Sequence, residues 1–470
     1  MCIHNNLSSE RAMKRSGHQI WSQTALLPTG WARDVLIDVD GAGRISRVQQ
    51  DMPACGTQVP FLLPAPVNVH SHGFQRAMAG LTERRGPNPS DSFWTWRQLM
   101  FRFLDRLTPE HVEAITAFVQ MEMLEAGYAT NVEFHYLHHQ PNGAPYDNIA
   151  EMSQRVVAAA DQTGIGLCLL PVHYQFGGCD LRELTAGQIR FGNTFERFTT
   201  LHDVVCKVLA DAPADANVGV APHSLRAVRA DDLRQYGANF PTGPIHMHLA
   251  EQTAEVVEVQ THWGARPVEW ALENMGLDAR WCLIHCTQMT PDETIRLGQS
   301  GAVAGLCPIT ESSLGDGIFD GVRWMENGGR FAIGSDSNIR ISLSEELRTL
   351  EYSQRLRDGT RAALATPAQS TGRRLFEGML QGGAQAANRK SGRLEVGYWA
   401  DMLSLDTTSE NLWGRTQDAV LDSWIFAGDD RLVNDVWSAG RHMVTHGRHS
   451  GRDRIVTTYK RTLNELKGAL

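Results

Sequence analysis

The chain has 470 residues, of which 42% are hydrophobic and 21% are charged, and its formal net charge is −9. This composition is typical of a globular protein that is long enough to bury a large core. No apolar stretch approaches the roughly 18 residues of a membrane span. The charged residues are spread along the chain without a basic tract, so we expect neither a membrane nor a nucleic-acid partner.

Neither the beginning of the chain nor its cysteines indicate secretion. The first 20 residues lack the apolar core of a signal peptide, and Met13 is an alternative start. The eight cysteines are scattered, and several lie in predicted strands, where a small apolar side chain packs well. Cys282 and Cys286 flank a histidine but have no second matched pair, which favours core residues over zinc ligands. This cysteine usage predicts a cytoplasmic protein.

The first predicted strands lie near the N-terminus. Residues 35–48 indicate a hairpin around Asp40-Gly41. The apolar run at 61–69 then predicts a buried strand that ends in His70-Ser71-His72. Because side chains alternate along a strand, His70 and His72 point to the same side and can bind one metal ion together.

Polar residues end several later apolar runs at intervals typical of a (β/α)8 barrel. His248 with Glu251, then His285, then Asp336 each follow such a run. His248 and His285 are 37 residues apart, close to the roughly 30 residues of one βα unit. These residues, with the HxH pair, fit strands 1, 5, 6 and 8, whose carboxyl ends carry the chemistry of such barrels.

The intervening elements are also predicted. Thr108-Pro109 and Thr290-Pro291 are typical helix starts, with an N-cap threonine followed by proline. Gly127 ends the first of these helices, and Gly298 or Gly301 ends the second. The remaining barrel strands are predicted near 130–136, 166–172, 218–223 and 302–307.

The C-terminal part again predicts short strands. Residues 392–406 indicate a turn-rich strand pair, and further strands are predicted at 433–437 and 442–445. We therefore expect an α/β protein, a (β/α)8 barrel with a small β-sandwich domain formed from both chain termini. The expected division is 1–60 for the N-terminal part of the sandwich, 61–385 for the barrel, and 386–470 for the C-terminal part with a terminal helix.

The pattern of HxH, HxxE, His and Asp at these strand ends resembles the metal-dependent amidohydrolase superfamily. The segment from Gly392 to Asp406 is similar to that superfamily's return into its β-sandwich, which usually reads G-x-L-x-x-G-x-x-A-D. Finer motifs resemble one family within it, the formimidoylglutamate deiminases. These motifs are His70-Ser71-His72-Gly73-Phe74-Gln75-Arg76-Ala77, Asp91-Ser92-Phe93-Trp94-Thr95-Trp96-Arg97, Glu133-Phe134-His135-Tyr136, Ala221-Pro222-His223-Ser224-Leu225-Arg226 and Cys307-Pro308-Ile309-Thr310-Glu311-Ser312-Ser313-Leu314-Gly315-Asp316-Gly317.

The resemblance implies one metal ion per chain. His70, His72, His248 and Asp336 would hold it, and three imidazoles with a carboxylate suit Zn²⁺, with iron possible by ligand type. Two-metal relatives bridge their ions with a carboxylated lysine at the end of strand 4. This chain has histidine there, His223, and none of its five lysines ends a predicted barrel strand.

The resemblance also implies catalytic roles. Zinc lowers the pKa of a bound water to about 7, and Asp336 can take a proton from that water. Glu251 is expected to shuttle protons to the leaving nitrogen, and His285 to polarise the electrophile. Two alternatives stay open, a solvated loop acid for Glu251 and a helix cap for Asp336.

The implied substrate is N-formimino-L-glutamate, which carries two carboxylates. Arginine grips a carboxylate bidentately, and amide, phenol and imidazole groups add hydrogen bonds. The candidate substrate-binding residues are Gln75, Tyr136, His223 and Arg226, all at or just after predicted strand ends. Three arginines in the loop after strand 1 are further candidates, namely Arg84, Arg85 and Arg97.

Other polar and aromatic residues have simpler interpretations. His246 is expected to be a core residue, and His135, His138 and His139 to lie in a loop or at the surface. Trp94 and Trp96 are expected to pack as a lid or as a contact in a homodimer.

Two other functions remain open from sequence. One is another mononuclear deaminase, of the guanine, cytosine or S-adenosylhomocysteine type. The other is a catalytically inactive scaffold with the same fold.

Overall fold

The computed structural model of the chain describes residues 17–83 and 93–467, except for the side chains of residues 93–98. Met13, Arg84 and Arg85, and the side chains of Trp94, Trp96 and Arg97, therefore lie outside the described residues. Within the described ranges, no helix has both the length and the apolar content needed to cross a membrane.

Strands and helices alternate through the middle of the described chain, and short strands lie at both ends. The strands are β1 (His18–Leu27), β2 (Gly30–Val39), β3 (Ile45–Gln49), β4 (Thr57–Pro64), β5 (Val67–Ser71), β6 (Thr130–His135), β7 (Gly166–His173), β8 (Asn217–Val218), β9 (Ala221–Pro222), β10 (Ile245–Leu249), β11 (Trp281–His285), β12 (Val303–Leu306), β13 (Arg330–Ile333), β14 (Met402–Leu405), β15 (Val433–Ser438), β16 (Arg441–Thr445) and β17 (Arg448–His449). The α-helices are α1 (Phe93–Leu104), α2 (Pro109–Glu125), α3 (Glu151–Thr163), α4 (Phe195–Ala210), α5 (Ala230–Asn239), α6 (Thr253–Trp263), α7 (Pro267–Asn274), α8 (Pro291–Gly298), α9 (Pro308–Leu314), α10 (Gly321–Glu326), α11 (Leu343–Asp358), α12 (Thr371–Ala386), α13 (Asp418–Phe426) and α14 (Arg452–Leu466).

Strands β5 to β13 form a ring of parallel strands. β5, β6, β7 and β8 pair in order, β9 pairs with β7, and β10 to β13 pair in order. A parallel bridge from Val220 to Ile245 joins the two groups, and one from Ser71 to Asp336 closes the ring. Helices follow these strands along the chain, so the arrangement fits the predicted (β/α)8 barrel.

The helix starts predicted from sequence are confirmed. The Thr108 hydroxyl accepts a hydrogen bond from the His111 amide, and α2 begins at Pro109. Thr290 caps α8 in the same way, and Glu293 completes a capping box with the Thr290 amide.

Strands from both chain ends share one eight-stranded sheet, in the order β17-β16-β15-β14-β4-β1-β2-β3. The predicted hairpin at Asp40 is confirmed, because β2 and β3 pair antiparallel and the Asp40 carboxylate accepts hydrogen bonds from the Ala42 and Arg44 amides. One face of the sheet buries an apolar cluster that includes Ile37, Leu62 and Trp437. Whether this sheet is a β-sandwich domain stays a prediction.

Two segments differ from the sequence prediction. The apolar run at 61–69 is two strands, because Pro66 lacks an amide donor and the chain leaves the terminal sheet there for the barrel. β4 pairs with β1 and β14, so residues 61–64 belong to the terminal sheet. The predicted strand pair at 392–406 is only β14, since Gly392 and Gly397 have φ of 76° and 82°, and the chain between them turns.

A buried ion cluster joins the barrel to the terminal sheet. The Arg389 guanidinium donates to Asp401 through Nε at 2.7 Å and to Asp215 through Nη2 at 3.2 Å. Arg441 also binds the Asp215 carboxylate. The two arginines hold the pKa of Asp215 below its ordinary value, although burial alone would raise it.

Candidate active site

The predicted site residues converge at the carboxyl ends of the barrel strands. A pocket of about 60 Å³ opens there. It is lined by His72, Gln75, Met100, Tyr136, Tyr174, Phe191, His223, Arg226, His248, Glu251, His285, Leu314, Asp336 and Ser337. His70 is fully buried against this group, with its ring 4.6 Å from that of His72 and 4.9 Å from that of His248.

Four side chains have the composition and spacing of a metal site. The ligand atoms of His70, His72, His248 and Asp336 all lie within 4.8 Å of one another. Asp336 Oδ1 is 3.4 Å from His70 Nε2 and 3.3 Å from His72 Nε2. Metal–ligand bonds of about 2.0–2.1 Å in a tetrahedron place ligand atoms about 3.3 Å apart, so these residues fit a divalent ion.

The imidazoles are oriented and neutral, as metal ligands must be. His72 Nδ1 lies 3.0 Å from the Phe134 carbonyl and His248 Nδ1 lies 3.1 Å from the His223 carbonyl, which directs each Nε2 into the site. Burial lowers the pKa of His70 to about 3 and also lowers the pKa of His72 and His248. The buried Nε2 of His70 faces the Asp336 carboxylate, which fits two ligands of one metal ion.

The backbone at these strand ends is strained. Ala250, His285, Cys286 and Asp336 have φ between 48° and 74°, in the left-handed region that non-glycine residues rarely adopt. Each such residue costs about 1–3 kcal/mol and persists where surrounding contacts fix it. Strain of this kind clusters at functional sites, and here it lies next to Glu251 and in His285 and Asp336.

A network of buried polar side chains fixes the Asp336 turn. The Ser335 amide donates to Asn68 Oδ1 at 2.9 Å, and Asn68 Nδ2 donates to the Ser335 hydroxyl at 2.7 Å. That hydroxyl donates to Asn338 Oδ1 at 2.6 Å. The backbone of Asp336 also pairs with the first strand, because its amide donates to the His70 carbonyl and its carbonyl accepts from the His72 amide.

His285 lies among three carboxylates. Its Nδ1 is 3.2 Å from Glu311 Oε1, while its Nε2 is 3.8 Å from Glu251 Oε1 and 3.9 Å from Asp336 Oδ2. Burial opposes protonation, but the charge of Glu251, the hydrogen bond to Glu311 and the charge of Asp336 raise the pKa of His285 well above its ordinary value. The contact of Nδ1 with Glu311 therefore fixes the ring and turns Nε2 toward the Glu251 and Asp336 carboxylates.

Glu251 is buried rather than solvated. It is 6% exposed, and burial raises the pKa of its carboxyl above the ordinary value. The Glu255 carboxylate fixes the turn, because it accepts hydrogen bonds from the Ala250 and Glu251 amides at 3.1 and 3.0 Å. The loop-acid interpretation of Glu251 is therefore wrong. Asp336 caps no helix, since the next helix in the chain, α11, begins at Leu343 with Ser342 as its N-cap.

The predicted substrate-binding residues form the wall of the pocket. Gln75 Nε2 donates to the Tyr136 hydroxyl at 2.8 Å, and His223 Nδ1 lies 3.0 Å from the Ser224 hydroxyl. Arg226 has a buried Nε that meets no hydrogen-bond partner among the described residues. Although burial opposes it, the charges of Glu255, Tyr174 and Glu251 raise the pKa of Arg226, which therefore carries a charge.

The interpretations of the other histidines are partly corrected. His246 is buried with Nε2 2.8 Å from the Ala386 carbonyl, so the core interpretation is confirmed. His135, His138 and His139 are also buried, so the predicted surface position is wrong. His138 Nε2 lies 2.9 Å from the Val172 carbonyl, and His139 Nε2 lies 3.0 Å from the Gly192 carbonyl, which compensates their burial.

The two cysteines that flank His285 lie in the core, as predicted. Cys282 and Cys286 are both fully buried.

Several carboxylates near the site received no role in the sequence analysis. Glu311 contacts His285, and Glu133 accepts from the Gly73 amide at 2.6 Å next to the HxH pair. Asp316 Oδ1 accepts from the side-chain Nε2 of Gln252 at 2.7 Å, and burial raises the pKa of Asp316 to about 8. Glu133, Glu311 and Asp316 all lie in motifs on which the family resemblance rests, and this position is the sequence feature that could have identified them.

Comparison with known proteins agrees with this architecture. The amidohydrolase family matches residues 61–443. The chain is 45% identical over 454 residues to a formimidoylglutamate deiminase from Pseudomonas aeruginosa, an alignment that covers 95% of this chain and 99% of the relative. It is 33% identical over 391 residues to a 5-methylthioadenosine/S-adenosylhomocysteine deaminase from Halobacterium salinarum, covering 81% of each.

Solved structures share the fold. An amidohydrolase from Brucella melitensis superposes with a TM-score of 0.91 at 44% identity, covering 96% of this chain and 100% of the other. An adenosine deaminase from Xanthomonas campestris with bound zinc superposes with a TM-score of 0.80 at 20% identity, covering 96% and 98%, and shows the fold alone. The parallel ring of strands, the ligand set at its carboxyl edge and these matches lead to one conclusion: the chain belongs to the amidohydrolase family.

Proposed function

We propose that this chain hydrolyses N-formimino-L-glutamate to N-formyl-L-glutamate and ammonia. The observation that carries the proposal is Arg226, a charged side chain in the pocket wall with a buried Nε that meets no partner among the described residues. A substrate carboxylate would supply the missing partner. The name of the Pseudomonas aeruginosa relative, formimidoylglutamate deiminase, supports the same substrate.

A divalent metal is part of the proposal. His70, His72, His248 and Asp336 would hold it, and with three imidazoles and one carboxylate we propose zinc, with iron as the alternative. When bound, the ion would supply a Lewis acid and lower the pKa of a water molecule in the site.

The chain's own residues would move the protons. Glu251, with its raised pKa, would carry a proton from the attacking water to the leaving nitrogen, so that ammonia departs rather than an amide anion. Asp336 would accept the second proton of that water, which also passes to the leaving nitrogen to complete ammonia. His285 would donate from Nε2 to the reacting centre, while Glu311 holds its Nδ1 and fixes the ring.

Four residues would recognise the glutamate part. Arg226 would pair with one carboxylate, and Gln75, Tyr136 and His223 would add hydrogen bonds from the same wall. The carboxamide oxygen of Gln75 is buried without a hydrogen-bond partner in the described part of the chain, so it could accept from a substrate N–H.

Other features belong to the proposal as well. These are a place in histidine degradation, a cytoplasmic homodimer, and the division into a barrel at 61–385 and a β-sandwich domain from 1–60 and 386–470. Arg97 of α1 and the neighbouring Arg84 and Arg85 are alternative carboxylate ligands.

One experiment tests the substrate. Purified, zinc-loaded protein is incubated with N-formimino-L-glutamate, ammonia is measured with a coupled enzyme, and the organic product is identified by NMR. We expect N-formyl-L-glutamate and ammonia in equal amounts. Guanine, cytosine and S-adenosylhomocysteine are assayed in parallel, because the 33% identical relative is named for a deaminase of the last type. Preferential turnover of one of these would refute the proposal, and no turnover of any by metal-loaded protein would favour an inactive scaffold.

A further inference from the structure

A second group of potential metal ligands lies beside the proposed catalytic site. His285, Cys307 and Glu311 are all buried, and their ligand atoms lie within 4.8 Å of one another. His285 Nδ1 and Glu311 Oε1 are already 3.2 Å apart, the separation of two ligands on one ion. Cys307 directly follows β12, and its amide donates to Glu311 Oε1 at 2.8 Å, which brings the carboxylate and the thiol to the same turn.

We propose that His285, Cys307 and Glu311 form a second, inhibitory site for a thiophilic divalent cation such as Zn²⁺. Thiolate, imidazole and carboxylate are the ligands that zinc takes in proteins, and a three-residue site leaves a fourth position for water. Among the described residues the set has no fourth protein ligand of the kind a structural site has, so we expect it to fill only when the metal is in excess.

Binding at this site would be a proton exchange without any redox change. The ion replaces the proton of the Cys307 thiol and the proton that His285 Nδ1 shares with Glu311, and both protons leave to water. Burial disfavours the free thiolate, so the thiol stays protonated until a metal takes the place of its proton.

Inhibition follows from the position of His285. Its Nε2 lies 3.9 Å from Asp336, so this imidazole lies between the second group and the proposed catalytic ligands. An ion on His285 Nδ1 would replace the Glu311 hydrogen bond that orients the ring, and its charge would lie next to the first metal. This part of the inference rests on the proposed function, whereas the ligand set does not.

The test uses the one-metal holoprotein and titrates it with Zn²⁺ and, separately, with Co²⁺. We expect a second bound equivalent, a parallel fall in the hydrolysis rate, and, with Co²⁺, the intense near-ultraviolet charge-transfer absorption of a cobalt–thiolate bond. In Cys307→Ala, affinity for the second ion and the inhibition should weaken by at least about 10-fold. Cys282→Ala is the matched control, because that cysteine is equally buried but outside the group.

Three results would overturn the inference. They are a wild-type protein that binds no second equivalent in excess metal, a second equivalent without thiolate absorption, and unchanged second-ion affinity in Cys307→Ala. If Cys307→Ala does not fold, Cys307→Ser keeps the volume and must also lose the absorption. The metal stoichiometry and the cobalt–thiolate absorption are measured without substrate, so they test the second metal site independently of the proposed reaction.

Discussion

The role of Arg226 gives the sharpest test of substrate recognition. Replacing it with methionine keeps much of the side-chain volume and removes the charge. Removing one member of a buried, hydrogen-bonded charge pair costs about 2–5 kcal/mol, and each 1.4 kcal/mol is tenfold in rate. Arg226 is only partly buried as a residue although its Nε is enclosed, so we expect the lower end of this range. The value of kcat/KM for N-formimino-L-glutamate should fall about 30- to 100-fold.

The assay compares two substrates and two variants. Metal content should stay normal in Arg226→Met, because Arg226 is not one of the four proposed ligands. Arg229→Met is the matched control, since this exposed arginine three residues later lies outside the pocket. With a substrate analogue that lacks the carboxylate held by Arg226, the decrease in kcat/KM caused by Arg226→Met should be smaller. If Arg226→Met discriminates between the two substrates as the wild type does, Arg226 has a structural role and the arginines at 84, 85 and 97 become the better candidates.

Three further predictions concern catalysis, metal binding and stability. Glu251→Gln should keep its metal and lose 100-fold or more of the steady-state rate, because it can no longer carry a proton; a near-normal rate would exclude Glu251 from the mechanism. His70→Asn should fall below one metal equivalent by elemental analysis, whereas a wild-type requirement for two equivalents would contradict the single site. Arg389→Met should lower the free energy of unfolding by about 3–5 kcal/mol in chemical denaturation, because it leaves Asp401 without its ion-pair partner and Asp215 with Arg441 alone. The folded-state pKa of Asp215 lies below its ordinary value of 3.8. The difference in free energy of unfolding between the wild type and Arg389→Met should therefore be complete above pH 3.8 and become smaller as acid protonates the carboxylate. A difference that does not change with pH would refute this account.

The residues at the strand ends were predictable because a parallel barrel imposes a regular pattern. Its strands are buried on both faces, so they appear as apolar runs, and a polar residue at the end of a run marks the carboxyl edge. His248, His285 and Asp336 follow this rule, and the structure brings them together. β6 and β7 also begin at the predicted Thr130 and Gly166.

The supporting residues could not be predicted, because their partners are distant in the sequence. Glu311 is defined by its contact with His285, and Asn68 by its hydrogen bonds to Ser335, 267 residues later. Residue type was also misleading for His138 and His139, because polar side chains usually indicate a surface position. Here backbone carbonyls from other segments lie next to the ring nitrogens and compensate their burial.

The hydrogen bonds that close the barrel have a consequence for how the protein is made. The first and last barrel strands meet through the backbones of His70, His72 and Asp336, which are three of the four residues whose side chains form the proposed metal site. A ribosome must therefore synthesise the chain as far as Asp336 before the full set of ligands exists. A nascent chain released or stalled earlier would hold at most the three histidines, so the complete ligand set would mark a chain whose last barrel strand has been made.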